Sequence, residues 1–496
     1  MTSIGTPALN CLEAFPEKTT RHIKNEMGKK FAKPTKFAGG LTPPELSAII
    51  LKKLVDDANK TLDKDCRDVV ITVPAAFDSD ARKATEEAGK IAGLNVKRII
   101  SEPTAAAVAY GMSIKGKCEN NKDKYVFVYD LGGGTFDITL LKIHGDSFET
   151  IVTGGDRKLG GSLWDKKLAD FLLEKYNKDT KSCYTFVDNK KLEVILLNQA
   201  EKIKKDLSAK STIINSVSYN GKSATVTIHR KDFDSLTSDL LQKTLDLTQK
   251  VIADANEKCG FDVTQENLDF LLVGGSSRMP QVEEKVKELL RYEYNCNVVH
   301  KLKDPDACVA KGAAQIGNII EKENRVVRDP AKGTPLIARR ETILASTSAS
   351  TSGKAKFTDV ASHTYGTDEG KDNVENIIFA NVKLPCKKIE KFTTFEKNQR
   401  SAQIYVFESD TTEKNIKQSV ATKLECTHSL KLPPGLPEGT EFTVCFELDE
   451  QGMLHVSARL DDYHKTEFDV EVKGAMTDEE IEASKAVVKL HVKNSR

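Results

Sequence analysis

The sequence predicts an α/β domain followed by an all-β domain, and three observations support this. Up to about residue 325, short β-branched runs alternate with longer helical patterns, which is typical of α/β domains. Residues 345–353 read ASTSASTSG, a low-complexity stretch that is typical of flexible linkers. Beyond Phe357, short strand-like runs are separated by turn signals, as in an all-β domain.

Several elements of the α/β part can be placed in order. Thr42-Pro-Pro-Glu45 reads as a capping box with prolines in the first turn of a helix. A buried strand is predicted over Val69–Val73, and a helix follows from about Ser79 to Ala92. The apolar run Val96–Ile100 then leads into an Ala-rich helix.

Two antiparallel features interrupt this alternation. Between Tyr125 and Val152, three strand-like runs follow one another, joined by Gly-rich or Gly-Asp turns. The runs Ser211–Tyr219 and Ser223–His229 flank Asn220-Gly221, a strong two-residue hairpin signal.

The strands predicted for the second domain are Glu390–Phe395, Ala402–Glu408, Glu441–Leu448 and Met453–Arg459. After them, Thr477-Asp-Glu-Glu480 predicts the start of a C-terminal helix.

Composition excludes several classes of function. The 74 basic residues are balanced by 73 acidic ones, so no field of one sign attracts nucleic acid or a membrane. No apolar run approaches the roughly 20 residues that a bilayer-spanning helix needs. The ten cysteines contain no Cys-x-x-Cys pair, and the first 18 residues do not resemble a signal peptide. We therefore expect a cytoplasmic protein that binds neither nucleic acid nor membrane.

The strongest candidate site is Asp130-Leu-Gly-Gly-Gly-Thr-Phe-Asp137. It lies between two strands, so neither the Rossmann nor the P-loop interpretation applies. Three glycines let backbone N–H groups approach a polyphosphate without obstruction by Cβ atoms. Thr135 adds a hydroxyl group, and Asp130 and Asp137 offer hard oxygens for a phosphate-bound Mg²⁺ or a monovalent cation. The alternative is an ordinary Gly-rich hairpin.

Two further segments are weaker candidates. In Leu272–Pro280, a glycine pair would allow close approach of a ligand, and Arg278 could lie flat along a base; a plain strand-to-helix turn is the alternative. One helical face, which could hold a ribose and an adenine or simply be solvated, carries Glu201, Lys204, Lys205 and Ser208.

Four segments resemble the seventy-kilodalton heat-shock (DnaK-type) chaperone family: residues 70–85, 92–111, 130–139 and 271–282. The resemblance implies an α/β actin-like two-lobed nucleotide-binding domain, a linker, an all-β sandwich that binds extended peptides, and a helical lid. The expected boundaries are residues 1–325 for the nucleotide-binding (ATPase) domain, 326–357 for the linker, 358–475 for the β-sandwich and 476–496 for the start of the lid.

The same resemblance implies a role for individual residues. Phosphates would contact Gly132, Gly133 and Thr135. Adenosine would contact Gly161, Glu201, Lys204, Lys205, Ser208, Gly274, Gly275, Ser276, Arg278 and Asp306. Lys24 would position the attacking water, with Glu102, Asp130 and Thr135 as its catalytic neighbours, and the metal ions would lie near Glu102, Asp130 and Asp137. Pro74 and Arg82 would form the switch between domains. The peptide channel would be lined by Phe392, Ala402 and Ile404, with Phe395 as the arch above it.

The implied cofactors are ATP or ADP with Mg²⁺, and K⁺. The implied partners are unfolded client polypeptides, a J-domain co-chaperone and a nucleotide exchange factor, in protein folding and the stress response. Two alternatives stay open. One is a truncated, hydrolysis-deficient member that only binds peptides or partners, and the other is an actin-like phosphotransferase such as a sugar kinase.

The sequence departs from the family pattern in several places. Met1–Asn10 offers no counterpart of the family's first phosphate hairpin, so we expect an incomplete first lobe with an unpaired strand edge and weaker ADP binding. Lys205 replaces an arginine that stacks on adenine. Ser162-Leu163 replaces an acidic pair, and Ala76 replaces a tyrosine. Residues 326–356 are basic and then Ser/Thr-rich instead of acidic and leucine-rich, so we expect altered signalling between the domains.

Overall fold

The computed structural model describes residues 3–15, 18–28, 40–114, 123–145, 147–266, 268–296, 299–301, 304–305, 307–326, 356–370, 372–461, 465–469 and 476–493. Within these ranges, no helix combines the length and the hydrophobicity needed to cross a membrane. The low-complexity stretch and Asp306 lie outside them.

The first lobe, residues 40–101, is a small α/β unit. The elements up to its end are α1 (Thr6–Asn10), a 3-10 turn (Ile23–Glu26), α2 (Pro43–Leu62), β1 (Asp68–Val73), α3 (Ser79–Ile91) and β2 (Asn95–Ser101). The predicted capping box is confirmed: the backbone N–H of Thr42 donates to Glu45 Oε2 at 2.8 Å, and the Glu45 N–H donates to Thr42 Oγ1 at 3.4 Å. The predicted strands and helix also agree with the structure to within one residue at each end.

The sheet of the first lobe has an open edge. Strands β1 and β2 are parallel, and among the described residues β1 pairs with β2 alone. An apolar groove of about 830 Å³ runs beside β1, with side chains of α2 and of the later residues 310–321 along it. The expected unpaired strand edge is therefore present in the described part of the chain.

The second lobe, residues 124–301, contains the larger sheet. Together with the two flanking helices, its elements are α4 (Glu102–Ile114), β3 (Lys124–Leu131), β4 (Phe136–His144), β5 (Ser147–Asp156), α5 (Gly161–Thr180), α6 (Lys190–Leu207), β6 (Thr212–Tyr219), β7 (Lys222–His229), α7 (Arg230–Leu236), α8 (Ser238–Cys259), β8 (Leu268–Val273), α9 (Pro280–Tyr294), β9 (Val299–Lys301) and α10 (Cys308–Val326). The predicted meander is confirmed, because β3, β4 and β5 pair antiparallel in sequence order.

Both faces of this sheet are covered, which explains why β3 is almost continuously apolar. Phe127 and Tyr129 point into a core built with α5, α6, α8 and α9, where the single tryptophan, Trp164 of α5, is completely buried. Val126 and Val128 point into the opposite core, which is built with α4 and α10. Successive side chains of β3 therefore pack into the two cores on opposite faces of the sheet, as the alternation of side chains along a strand requires.

The predicted hairpin in the second lobe is also confirmed. Strands β6 and β7 pair antiparallel over their whole length. Asn220 and Gly221 have φ values of 46° and 73°. Both residues are thus left-handed, as this class of two-residue turn requires.

The C-terminal part is rich in β structure. Its elements are β10 (Lys356–Thr358), β11 (Thr364–Gly370), β12 (Asn373–Ile378), β13 (Cys386–Thr393), β14 (Ser401–Ser409), β15 (Asn415–Lys417), β16 (Thr422–Lys431), β17 (Glu441–Leu448), β18 (Leu454–Arg459), β19 (Lys465–Asp469) and α11 (Asp478–Lys493). The β domain, residues 359–469, consists of two sheets with the strand orders β15-β12-β11-β14-β16 and β13-β17-β18-β19. Alternate residues of β14 and β17, such as Val406 and Phe446, face each other in the core between the sheets.

The β domain and α11 both contact the first lobe. The hydroxyl groups of Tyr365 and Ser79 share a buried hydrogen bond of 2.8 Å. The Met476 N–H, just before α11, donates to Glu87 of α3 at 2.9 Å. Strand β10, at the end of the expected linker, pairs in parallel with residues 147–149 of β5 and so extends the six-stranded sheet.

Candidate functional site

Lys24 and Glu102 form an ion pair at the entrance of the candidate site. The Lys24 Nζ atom lies 2.7 Å from Glu102 Oε1 and 2.9 Å from Oε2. Lys24 lies in the 3-10 turn and Glu102 is the first residue of α4. The two residues are 78 positions apart in the sequence, and the fold brings them into contact. A lysine held in this way can present its ammonium group to an attacking water or a phosphate oxygen.

Asp130 and Asp137 face each other across the Gly-rich hairpin, as a cross-strand pair at the ends of β3 and β4. Both are buried. Burial, reinforced by the charges of Glu102 and Asp137, raises the pKa of Asp130, and burial together with Glu102 raises the pKa of Asp137 to about 7. The nearby ammonium group of Lys24 lowers the pKa of both carboxyl groups but does not compensate.

The carboxylates of Asp130 and Asp137 suit a cation whose remaining ligands come from outside the protein. Asp137 Oδ1 accepts the Ala76 N–H at 3.0 Å, whereas its buried Oδ2 has no hydrogen-bond partner. Within the described residues, no three His, Cys, Asp or Glu side chains are arranged to hold an ion by themselves. Mg²⁺ commonly takes only one or two carboxylates and completes its shell with phosphate oxygens and water. The site therefore suits a phosphate-bound Mg²⁺.

The Gly-rich hairpin is fixed against the start of α5. The N–H groups of Gly161 and Ser162 donate to the carbonyl groups of Gly132 and Gly133 at 3.0 and 2.8 Å. A Cβ atom on Gly133 would meet no protein atom within 4 Å. The hairpin thus has a defined conformation with one glycine facing open space, which is where a phosphate could approach.

The residues expected at adenosine adjoin this hairpin. Lys204 Nζ donates to the Gly161 carbonyl at 2.9 Å and pairs with Asp165 at 2.8 Å. Ser276 Oγ donates to the Gly132 carbonyl at 2.9 Å. Three segments from different parts of the chain therefore meet at one place.

Glu201 is the most strongly perturbed group of this face. Lys205 Nζ donates to its Oε1 at 2.8 Å, and Arg21 Nη2 donates to its Oε2 at 2.5 Å. Although burial opposes the change, these hydrogen bonds and charges lower the pKa of Glu201 to about 2. Ser208, one turn further along, donates its hydroxyl to the Lys204 carbonyl at 3.4 Å.

The strand-to-helix turn after β8 completes this region. A Cβ atom on Gly274 would lie 2.4 Å from Asp130 Oδ1, so only glycine fits there. Gly275 and Arg278 lie in a 3-10 turn between β8 and α9. Asp306 lies outside the described residues.

The expected switch residues connect the carboxylates to the β domain. The Pro74 carbonyl accepts the Phe77 N–H at 3.2 Å, and the buried Arg82 donates from Nε to the Phe77 carbonyl at 3.3 Å. Ala76, in the same turn, is the donor to Asp137. The turn that contacts Asp137 is therefore continuous with Ser79, the partner of Tyr365.

The four residues expected in a peptide channel have different surroundings. Ala402 and Ile404 are 5% and 4% exposed and belong to the core of the β domain. Phe392 packs at its margin, with its ring 6.0 Å from that of Phe442, whereas Phe395 is 82% exposed. Packing between the sheets accounts for the burial of Ala402 and Ile404, so their role in a channel stays a prediction.

No sequence motif points to Arg21 and Asn198, which the structure places beside Glu201. Arg21 Nη1 donates to Asn198 Oδ1 at 3.0 Å, next to its bond with Glu201. The partners are separated by 177 and 180 residues, and neither lies in a Gly-rich or acidic motif. Asn198 lies three residues before Glu201 on the helical face already singled out, which is the one signal that could have identified it.

Comparison with known proteins identifies relatives over most of the chain. The sequence model of the Hsp70 protein family matches residues 11–329 and 336–494. The chaperone protein DnaK of Deinococcus deserti is 34% identical over 429 residues, and that of Thermosipho melanesiensis is 34% identical over 466 residues. These matches cover 84% and 92% of this chain, but 60% and 70% of the respective relatives. The chain thus spans about 60% of the length of the Deinococcus relative.

Proposed function

Because this chain belongs to the Hsp70 family, we propose that it is an ATP-dependent molecular chaperone. It would bind extended hydrophobic segments of unfolded proteins, with an affinity coupled to ATP binding and hydrolysis. The observation that supports this best is the Lys24–Glu102 pair beside the buried Asp130, Asp137 and the Gly-rich hairpin. In this proposal the nucleotide-binding domain comprises residues 1–325 and the linker residues 326–357. The peptide-binding β-sandwich comprises residues 358–475, and the lid begins with residues 476–496.

The residues of the cleft would divide the work of hydrolysis. Lys24 would orient the attacking water, while Gly132, Gly133 and Thr135 would receive the phosphates. Glu102, Asp130 and Asp137 would hold Mg²⁺, and a K⁺ ion would further offset their charge. A bound Mg²⁺ would neutralise charge that develops on the phosphates. The raised pKa values of Asp130 and Asp137 support this, since such carboxyl groups ionise more readily beside a cation.

Coupling to the β domain would follow the switch residues. The turn that contacts Asp137 continues to Arg82 and Ser79, and Tyr365 of the β domain bonds to Ser79. Ion binding at Asp137 could thereby affect the contact between domains. A J-domain co-chaperone and a nucleotide exchange factor are the partners we propose for such a cycle.

The first test separates phosphate recognition from recognition of adenosine. Gly133→Ala places a methyl group in the open space beside the hairpin without a clash inside the protein. We expect an unchanged unfolding temperature, a loss of ADP affinity of about tenfold or more, and unchanged adenosine affinity, as measured by calorimetry with Mg²⁺. Equal ADP affinities of the variant and the parent would contradict the phosphate site.

Turnover decides between the main proposal and a member that only binds peptides or partners. Phosphate release after mixing with ATP supports the ATPase. ADP binding without phosphate release would instead favour the binding-only alternative. The replacement of the adenine-stacking arginine by Lys205 is not direct support for that alternative.

A further inference from the structure

A buried carboxyl group lies where the β domain meets the first lobe. Glu408 follows Ile404 and Val406 on the inward face of β14, and it is 7% exposed. It is also the cross-strand partner of Tyr365, whose hydroxyl group bonds to Ser79 of α3. The inward row of such a strand is ordinarily apolar, so core packing does not account for a carboxyl group at this position.

The carboxyl group of Glu408 is incompletely paired. The Tyr365 hydroxyl and the backbone N–H of Ser79 bond to it, whereas its buried Oε1 has no hydrogen-bond partner. Burial raises the pKa of Glu408; His363 and the two hydrogen bonds lower it without compensating, and the charge of Asp78 raises it further. Such surroundings favour the protonated form of the carboxyl group.

His363 faces this carboxyl group from the same domain. Its Nδ1 atom lies 3.5 Å from Glu408 Oε1, and its Nε2 atom lies 3.5 Å from Oδ1 of the exposed Asp410. Nδ1 is also 3.1 Å from Ser362 Oγ, which donates to the Phe77 carbonyl of the first lobe at 3.4 Å. Because the Ser362 proton is used there, the ring nitrogen is the donor to Ser362. A doubly protonated ring then offers its second N–H to Asp410.

Charged groups of the two lobes also face this contact. Asp78 is held by Arg157 of the second lobe and by the Ala81 N–H at the start of α3. Arg82 acts on Tyr365 through its charge and donates to the Phe77 carbonyl. Both guanidinium groups are directed at other acceptors, so His363 is the cation that faces an ionised Glu408.

We propose that the contact between the β domain and the first lobe is proton-dependent, with Glu408 and His363 as its titrating pair. Protons on this pair allow Glu408 to stay buried against Ser79. Their loss leaves an uncompensated negative charge in the contact, and separation of the domains relieves it by exposing the carboxylate to water. This device involves no nucleotide, so it goes beyond the proposed function and is tested without it.

Proton linkage gives the direction of the effect. Separation exposes Glu408 to water, where a glutamate has its ordinary pKa of about 4.5. The docked arrangement is therefore fully favoured below about pH 4.5 and is lost as the pH rises through the raised pKa of the buried group. With one proton taken up on docking, the equilibrium constant changes by at most about tenfold per pH unit.

The test measures the radius of gyration by small-angle X-ray scattering from about pH 5 to 8.5 without nucleotide. Because Glu87 also has a raised pKa, of about 7, and bonds to the segment before α11, every chain compared carries Glu87→Gln. On this background we expect the radius of gyration to increase as the pH rises. Adding Glu408→Gln, which resembles the protonated carboxyl group, should keep the chain compact throughout. Adding Glu441→Gln is the matched control, since Glu441 pairs with Lys391 on the surface of the β domain, and the pH dependence should persist.

A second measurement needs no change at Glu408. Amide hydrogen exchange in residues 77–80, corrected for the intrinsic effect of pH, should become faster as the pH rises, because the Ser79 N–H loses its partner. Exchange in the hairpin of residues 212–229 should not change. A radius of gyration that is constant with pH, constant exchange in residues 77–80, or equal pH dependence with and without Glu408→Gln would each overturn the proposal. Failure to bind ADP would contradict the proposed function alone and leave these expectations unchanged.

Discussion

At the scale of single residues, the Lys24–Glu102 pair is the part of the site with the clearest chemical role. Both oxygens of Glu102 lie within hydrogen-bond distance of the ammonium group. The nearby Asp130 and Asp137 stay buried behind it. These groups surround the place where a terminal phosphate would react, whereas the adenosine face lies on α6 and after β8.

This separation predicts different effects on turnover and on binding. We expect Lys24→Ala and Glu102→Gln each to remove most of the ATP hydrolysis, by about a hundredfold, because each removes a charged group that acts mainly in the transition state. ADP affinity should change by less than about threefold, since neither residue contacts the adenosine face. Single-turnover hydrolysis and calorimetry measure the two effects, with the exposed Lys53→Ala as control.

A parallel loss of turnover and ADP affinity would contradict the assignment of Lys24 and Glu102 to catalysis. If ADP affinity falls as far as turnover does, Lys24 and Glu102 contribute to binding in the ground state and have no special part in catalysis.

At the scale of elements, the segment just before α11 is bonded to a carboxyl group in α3. The Glu87 side chain is 1% exposed, accepts the Met476 N–H, and has a second oxygen with no hydrogen-bond partner. Burial raises the pKa of Glu87 to about 7. Glu86, the next residue, differs: although burial opposes the change, Lys90 and Lys83 lower its pKa.

Glu87 should make stability dependent on pH. The folded chain keeps a proton on Glu87 that the unfolded chain releases above about pH 4.5, so the free energy of unfolding falls as pH rises towards about 7. Glu87→Gln should remove this loss in the free energy of unfolding, which amounts to about 1.4 kcal/mol per pH unit between about pH 4.5 and 7. Urea unfolding from pH 4.5 to 8 measures it.

Glu86→Gln is the matched control for this measurement. Its effect should have the opposite sign, a loss of stability above the ordinary range for glutamate, because the parent carboxylate is stabilised by lysines. Identical pH profiles for the parent and Glu87→Gln would show that folding does not raise the pKa of Glu87.

At the scale of the whole molecule, the contacts between units were the least predictable from the sequence. The capping box at Thr42 and the Asn220-Gly221 turn could be predicted because each is encoded within four residues. The Tyr365–Ser79 bond joins residues 286 apart, and no local pattern encodes such a distance. For the same reason the local motif predicts the Gly-rich hairpin, whereas only the structure brings Arg21 to Glu201.

Tyr365 offers a test of the contact between the β domain and the first lobe. Tyr365→Phe removes its hydroxyl group and leaves the buried Ser79 without this partner, at a cost of about 1–3 kcal/mol. We expect the domains to separate more readily, seen as a larger radius of gyration by small-angle X-ray scattering.

Tyr405→Phe is the control, because the Tyr405 hydroxyl donates to the side chain of Gln403, which lies on the same strand of the β domain. An unchanged radius of gyration for Tyr365→Phe, equal to that of Tyr405→Phe, would show that other contacts hold the domains together.

The burial of the single tryptophan has an optical consequence. Trp164 lies in the core of the second lobe, three residues after Gly161, and is the one indole of the chain. Its emission is therefore a signal from that lobe alone, blue-shifted while the core is dry. Circular dichroism, in contrast, sums over every helix and strand. If the two spectra change at the same denaturant concentration, the lobes and the β domain unfold as one cooperative unit; if emission changes separately, they do not. A chain with one chromophore thus carries its own label for cooperativity, without any added dye.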